Sequence, residues 1–399
     1  MLRFSKILIP IFLALFISAG FAIFHFSIAQ NNENNVSQTA TSNQGLIQFE
    51  SSDSFPEGTV YVCPEAASLE EINPRCPGKK ILKLGETIDG LTLTTTNYEG
   101  QDYYLVLGFE NGGGAVNLPP TADTGGPYEG YGGLPITLNA SSSTDPNGDP
   151  LQYRWDFEND GTWDTDWLSI STTTHIWNND YEGIVKLEVN DGEFTTIATT
   201  SVKVKSPRSF KQDAILELEN LKTNDQKLNK KIDIIVGFIN QSLNEDFWID
   251  SPHLVFFEKG KWKELEEILK EDEIDLDEIN AKGTKTGISV FHYEKDAVRL
   301  MMVEPGKTEK LESVFEEVIK KLVKADTLLA KVSIYDAKNT PVQNPKFKKI
   351  VEFQIKKAEE ELLKAKDELE KGRPDKAITR MGNSWLHSQI AIKFAKLKE

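Results

Sequence analysis

Apolar and polar positions change their period once along the chain, near residue 210. From Gln48 to Val204 the apolar residues come in short runs such as TVYVC, KILKL, DYYLVLGF, LQYRWDF, IVKLEVND and FTTIATTSVKV. Gly, Pro, Asn and Asp separate them, and such runs bounded by turn formers predict strands. From Phe210 onward the spacing becomes that of a helix. Ile215, Leu218, Leu221, Leu228, Ile232, Ile235 and Ile239 lie along one stripe. The stretches KLESVFEEVIKKLVKADTLLAKVSIYDA and FKKIVEFQIKKAEEELLKAKDELEKG repeat the pattern, with Glu–Lys pairs on the other faces. Gly372 predicts a helix stop and Pro374-Asp375 the next start. The chain therefore reads as multidomain: a small β-rich domain over 47–111, a β-sandwich of immunoglobulin-like type over 117–205, and an all-α helical bundle over 210–399. Asn111 to Gly114 reads as a hinge between the first two.

The two ends of the charge pattern add a location. Arg3 and Lys6 precede an uncharged, mostly apolar run from Ile7 to Ile28, the pattern of an export segment. Residues 1–29 read as a signal peptide cut after Ala22 or Ala29, or as an uncleaved membrane anchor of about 33 Å. Either way the rest is expected outside the cytoplasm, secreted or at the cell surface, and any membrane contact runs through this segment alone. Residues 30–46, QNNENNVSQTATSNQGL, are almost free of apolar side chains and read as a flexible polar linker.

Composition narrows the chemistry. The net charge of −17 is concentrated in the middle, with −6 up to Leu118, −10 from Pro119 to Lys205 and −1 beyond. That is the opposite of a nucleic-acid footprint, so nucleic acid is excluded as a partner. Cys63 and Cys76 are the two cysteines. In an oxidising compartment a lone pair most simply forms one disulfide, the rival being free or metal-binding thiols without a second pair to complete a site.

The segments NLPPTADTGGPYEG, LNASSSTDPNGDPLQYRWDFENDG and YEGIVKLEVNDGE, in that order, resemble the PKD domain, an extracellular β-sandwich. The compact G-D-G that usually follows W-D-F is stretched here to Glu158-Asn159-Asp160-Gly161. The resemblance implies an adhesion, scaffold or spacer module of a surface protein or secreted hydrolase. It also implies calcium as a structural ion, with Asp156, Asp160 and Asp191 as ligands. Read from the residues, these are equally turn acids, and so are Asp145 and Asp149 of DPNGDPL. Glu158 and Asp164 share the acidic spacing, but Trp167 stands where an EF-hand needs its bidentate Glu. Trp155 and Phe157, two apart on a strand, are expected in the core, with Asp156 on the opposite face. The C-terminal segment is similar to a helical domain recurrent in exported microbial proteins that carry PKD domains, and residues 364–393 resemble a tetratricopeptide-type helix pair.

Catalytic signatures are not found. His25, His175, His253, His292 and His387 are scattered, and there is no H-E-x-x-H, G-x-S-x-G or G-x-x-x-x-G-K-[ST]. In NEDFWIDSPHL, Phe247 and Trp248 read as a core cap. The alternative is a recognition groove of Trp248, Asp250 and His253 joined by Trp385 and His387, with Asp250 and His253 also at a metal-compatible spacing. Sequons stand at Asn35, Asn139 and Asn240. The expected function is a non-enzymatic exported or cell-surface protein acting in adhesion, scaffolding or interaction with an extracellular protein or envelope polysaccharide. The alternative is an accessory subunit that binds polysaccharide or protein substrate for a secreted hydrolase.

Overall fold

A computed structural model describes residues 37–39, 44–48, 60–63, 75–98, 101–107, 113–256, 286–303 and 309–398. The export segment at 1–29 and the sequon at Asn35 lie outside the described residues.

Among the described residues the first unit contains eight strands: β1 (Ser37–Thr39), β2 (Gln44–Gln48), β3 (Val60–Cys63), β4 (Lys80–Leu82), β5 (Thr87–Ile88), β6 (Leu91–Tyr98), β7 (Gln101–Leu107) and β8 (Gly113–Val116). They form two four-stranded sheets, β1-β8-β3-β4 and β2-β7-β6-β5. Period-2 alternation in β3 sends Val60 and Val62 into one apolar cluster with Leu82, Leu93 and Val106, and Tyr61 and Cys63 into another. Cys63 and Cys76 are joined, with Cα atoms 5.8 Å apart. Reduction of this bridge is expected to cost the unit about 3 kcal/mol, read as a lower denaturation midpoint under reducing conditions.

Two expectations change here. Part of the 30–46 linker is strand, since β1 pairs with β8 and β2 with β7. Main-chain hydrogen bonds make the ladder. The expected hinge is likewise strand at Gly113 and Gly114, which pair with Cys63 and Val62.

The second unit has six strands: β9 (Tyr128–Tyr131), β10 (Ile136–Asn139), β11 (Gln152–Asp156), β12 (Thr172–His175), β13 (Tyr181–Asn190) and β14 (Thr195–Lys205). One sheet runs β11-β13-β14-β9 and faces the pair β10-β12. Between them lie Leu138, Trp155, Phe157, Trp177, Leu187 and Val202, all buried. The sequence pattern misses β9, because YEGY has no apolar alternation; its parallel pairing with β14 holds it.

Strand β14 runs straight into the helices. Ser206 caps helix α1 (Pro207–Asn220), with Pro207 at the first turn, three residues before the apolar period suggests. The others are α2 (Gln226–Ser242), α3 (Ile288–Val303), α4 (Glu309–Asn339), α5 (Lys348–Glu370) and α6 (Pro374–Ala395). Of the seven stripe residues, Leu218, Leu221, Ile232, Ile235 and Ile239 are buried in one core cluster, and the half-buried Ile215 and Leu228 pack against it. Gly372, at φ +68°, ends the α5 turn, as capping predicts. Asp180 of the sandwich accepts from Ser206 N and Ser209 Oγ, Lys205 pairs with Asp213, and Lys324 of α4 sits 4.0 Å from the Tyr131 ring centroid. Gly133, at φ +80°, is where this junction is tightest: a Cβ there would stand 2.3 Å from Pro252 Cγ.

Candidate functional site

The acidic turn after β11 is built by the backbone. Asp156 is buried, and its Oδ1 accepts from Asp160 N at 3.1 Å. Its Oδ2 accepts from Gly161 N at 3.0 Å and meets Lys186 Nζ at 2.7 Å. Burial raises the carboxyl pKa, but the Lys186 bond and the two amides outweigh it, so the group lies below its usual value. Asp160 accepts from Thr162 N and Asp164 from Phe157 N, each at 2.7 Å. These are turn acids.

The aromatic residues divide in two. Trp155 and Trp177 are core. Trp163 and Trp167 are half-buried on the outer face of the larger sheet, where their ring centroids lie 4.3 and 4.4 Å from the Arg154 guanidinium carbon. Arg154 also pairs with Glu188 at 2.5 Å, and Lys186 Nζ lies 4.7 Å from the Trp163 centroid. Cations therefore already contact the indole faces.

Asp191 is elsewhere. Asp156 pairs with Lys186, and Asp191 lies five residues further along β13 and past its end, about 16 Å away at strand rise. The resemblance-based set of Asp156, Asp160 and Asp191 is therefore not brought together. Asp191 joins Asp145, Asp149 and Asn117 instead, at the end of the sandwich that meets the first unit. Asn117 Nδ2 donates to Asp191 Oδ2 and Glu193 Oε2, both at 3.1 Å. Asp145 Oδ1 accepts from Asn147 N and Asp149 N at 2.8 and 2.9 Å. From the first unit, Lys79 Nζ reaches Asp149 Oδ1 at 3.3 Å and lies 5.0 Å from the Tyr61 ring centroid.

Three buried acceptors there, Asn117 Oδ1, Asp145 Oδ2 and Asp149 Oδ2, have no hydrogen-bond partner among the described residues. Burial pushes both carboxyls up. Asp191 adds to this at Asp145; at Asp149, Lys79 opposes it while Asp145 and Asp191 add. Across the junction the Tyr61 phenol is pushed up to about 12, first by burial and then by the charges of Asp149 and Asp145. An all-oxygen set of orphaned, mutually repelling acceptors has the donor chemistry of calcium. Among the described residues, however, no three His, Cys, Asp or Glu groups already stand around a metal-sized point. Asn117, before the proline-rich entry, is the member the sequence reading missed.

In the helical unit, Phe247 and Trp248 are core, as the cap reading expects. His253 Nδ1 contacts Asp250, and its Nε2 lies 3.2 Å from Asp336 of α4. Both ring nitrogens are engaged by carboxylates, which leaves none for a metal. The proposed groove does not assemble: Trp385 packs on Phe291 and Phe256, and His387 bonds Gln354 of α5 at 2.7 Å. The Asp336 hydrogen bond, helped by Asp250 and opposed by burial, raises the His253 pKa to about 9. A raised value stabilises fully below the unfolded pKa of about 6.5 and ceases to do so as pH rises through about 9. Chemical denaturation across that window should show a loss in the wild type that His253→Asn lacks. Asn139 and Asn240 are exposed.

Comparison with known proteins gives a match for residues 117–205, which form a PKD domain. No curated protein matches the chain. Among solved structures, a nucleoside hydrolase-related hypothetical protein from Saccharophagus degradans, associated with carbohydrate metabolism, shares 20% identity over 23% of this chain and 26% of its own, at a TM-score of 0.18. Extracellular domains 3–5 of Drosophila OTK share 12% over 41% and 56%, at 0.19. Three N-terminal domains of the bacteriophage RB49 outer capsid protein Hoc share 11% over 45% and 59%, at 0.19. The chain thus spans about a quarter to three-fifths of these structures, and such TM-scores add nothing to the fold described above. Among the described residues, no helix is long and apolar enough to cross a membrane.

Proposed function

We propose that this chain is a non-enzymatic exported or cell-surface interaction protein, in which the PKD domain is an extension and adhesion module and the helical unit associates with an extracellular protein or with the cell envelope. The observation that carries the reading is the use of the W-D-F region: Asp156 closes its own turn on Lys186, and Trp155 fills the core. The disulfide and the PKD domain fit an oxidising, extracytoplasmic setting. The second reading, substrate binding for a secreted hydrolase, is favoured by one feature. Trp163 and Trp167 share the sandwich's outer face with exposed Ile184 and Ile197.

Co-sedimentation of the purified full chain with cell envelopes and, separately, with insoluble polysaccharides distinguishes the two. Retention on envelopes is expected. Retention on polysaccharide alone would move the assignment to substrate targeting, and retention on neither would remove the envelope and polysaccharide readings and leave an extracellular protein as the partner to seek.

A further inference from the structure

Helices α4, α5 and α6 enclose an apolar groove on the surface of the helical unit. Helix α6 packs along both α4 and α5, whereas those two touch each other little. They are tied at the end where α4 leads into α5: Lys338 pairs with Glu359 at 2.6 Å, and Ala337, Val351, Ala391 and Ala395 pack together. Beyond that closed end the groove opens to about 480 Å³, with Met381 of α6, Ile334 of α4 and Leu362, Leu363 and Leu369 of α5 lining it. Leu363 is 69% exposed, so this apolar surface meets water. The polar groups among the lining residues are mostly spent. Thr327 Oγ1 donates to Val323 O at 2.7 Å, and Glu359 is taken by Lys338. Two cations remain, one on each wall. Lys331 of α4 has no ion pair among the described residues, and Lys366 of α5 reaches Glu370 only at 4.0 Å.

We propose that this groove binds a monomeric single-chain amphiphile of the fatty-acid class, with its carboxylate between Lys331 and Lys366 and its apolar chain laid over Met381 towards the closed end. Charge complementarity selects the head group. The chain as a whole carries −17 and repels anions, yet the free charges at this rim are both positive. Size and lining select the tail. The volume is that of a small-molecule site, and such sites combine apolar walls with a few polar groups that orient the ligand. A helix about 10 Å across takes up roughly 400 Å³ per turn, so the groove has room for about one turn and none for a partner helix laid lengthwise. An unbranched chain fits a groove that is shut at one end, and its burial against four aliphatic side chains and a methionine supplies the driving force.

Isothermal titration of decanoate and, separately, of the uncharged decanol into the full chain at low ionic strength tests this. The wild type should take up decanoate at one site. K331Q/K366Q should bind decanoate about tenfold more weakly, the scale of two solvent-exposed ion pairs, and decanol unchanged. Loss of fold would weaken both ligands alike, so the difference between them reads the head-group contact. Leu363→Asp should weaken both at least about tenfold, because it places a charge in the apolar wall. Leu216→Asp, at a leucine that is 61% exposed outside the groove, should bind as the wild type does. No uptake of decanoate by the wild type, uptake that survives Leu363→Asp, or equal losses of decanoate and decanol in K331Q/K366Q would overturn the proposal. So would a flotation with phosphatidylglycerol vesicles, or a self-association in sedimentation equilibrium, that Leu363→Asp abolishes; these would assign the groove to a membrane surface or to a second copy of the chain.

Discussion

Replacing Lys211 by methionine is expected to destabilise the helical unit by about 3–5 kcal/mol, the cost of stranding a buried charge. Lys211, Glu294 and Asp326 come from α1, α3 and α4 and are all fully buried. Lys211 Nζ lies 2.5 Å from Glu294 Oε1, which also accepts from Ser242 Oγ at 2.8 Å. Asp326 beside them is pushed well up, chiefly by burial and then by the Glu294 charge. Without Lys211 the buried Glu294 carboxylate loses its ion pair and keeps the Ser242 hydroxyl as a partner. Its pH dependence has a definite sign. The raised Asp326 stabilises fully below the unfolded value of about 3.9 and progressively less as pH rises towards the folded value. Denaturant unfolding monitored by circular dichroism should give a large loss for K211M at neutral pH. Much of it should be recovered in K211M/E294L, which removes both charges. Asp326→Asn should flatten the fall in stability above about pH 4. A K211M loss below about 1 kcal/mol would mean that the pair is solvated in solution.

The second large effect lies in the sandwich. Asp156→Ala should cost about 3–5 kcal/mol, because Lys186 loses its partner next to a carboxylate site that has no solvent access. Two turn amides lose their acceptor as well. Asp156→Asn keeps one acceptor oxygen and should cost less. The depressed carboxyl pKa means that its stabilisation is present above about 3.9 and lost as pH falls through the folded value, so the wild type should show an acid-side decline that D156A lacks. Thermal unfolding followed by tryptophan fluorescence reads this out, since Trp155 and Trp163 adjoin the turn.

These two networks also mark how far the sequence could be read. Strand and helix periods gave the order of the units, and the two-residue spacing of Trp155 and Phe157 gave their shared burial. The burial of Asp156 was not legible, because it depends on Lys186 from β13, a contact fixed by register rather than by neighbours in sequence. Register also separates Asp191 from Asp156, which a reading by motif order placed together. Lys211 left a usable signal: with Ala214, Leu218 and Leu221 it continues the apolar stripe of α1. Glu294 sits in the same way between Phe291 and Val298 in α3, and Asp326 between Leu322 and Leu329 in α4. A charge on an apolar stripe announces a buried partner, but its identity comes only from packing. Lys79 gave no signal, since its partner lies 70 residues away in another unit.

The central claim is that the tryptophans and acids of the Tyr153–Trp167 stretch serve the fold and not a ligand. The most direct test compares the full-length wild type with the double variant Trp163→Ala/Trp167→Ala, which removes both rings around Arg154, in the retention assay. The expected result is retention on envelopes that the double variant leaves unchanged, with no retention of either protein on polysaccharide. Wild-type retention on polysaccharide that the double variant loses would contradict the account and assign the outer face of the sandwich to substrate binding.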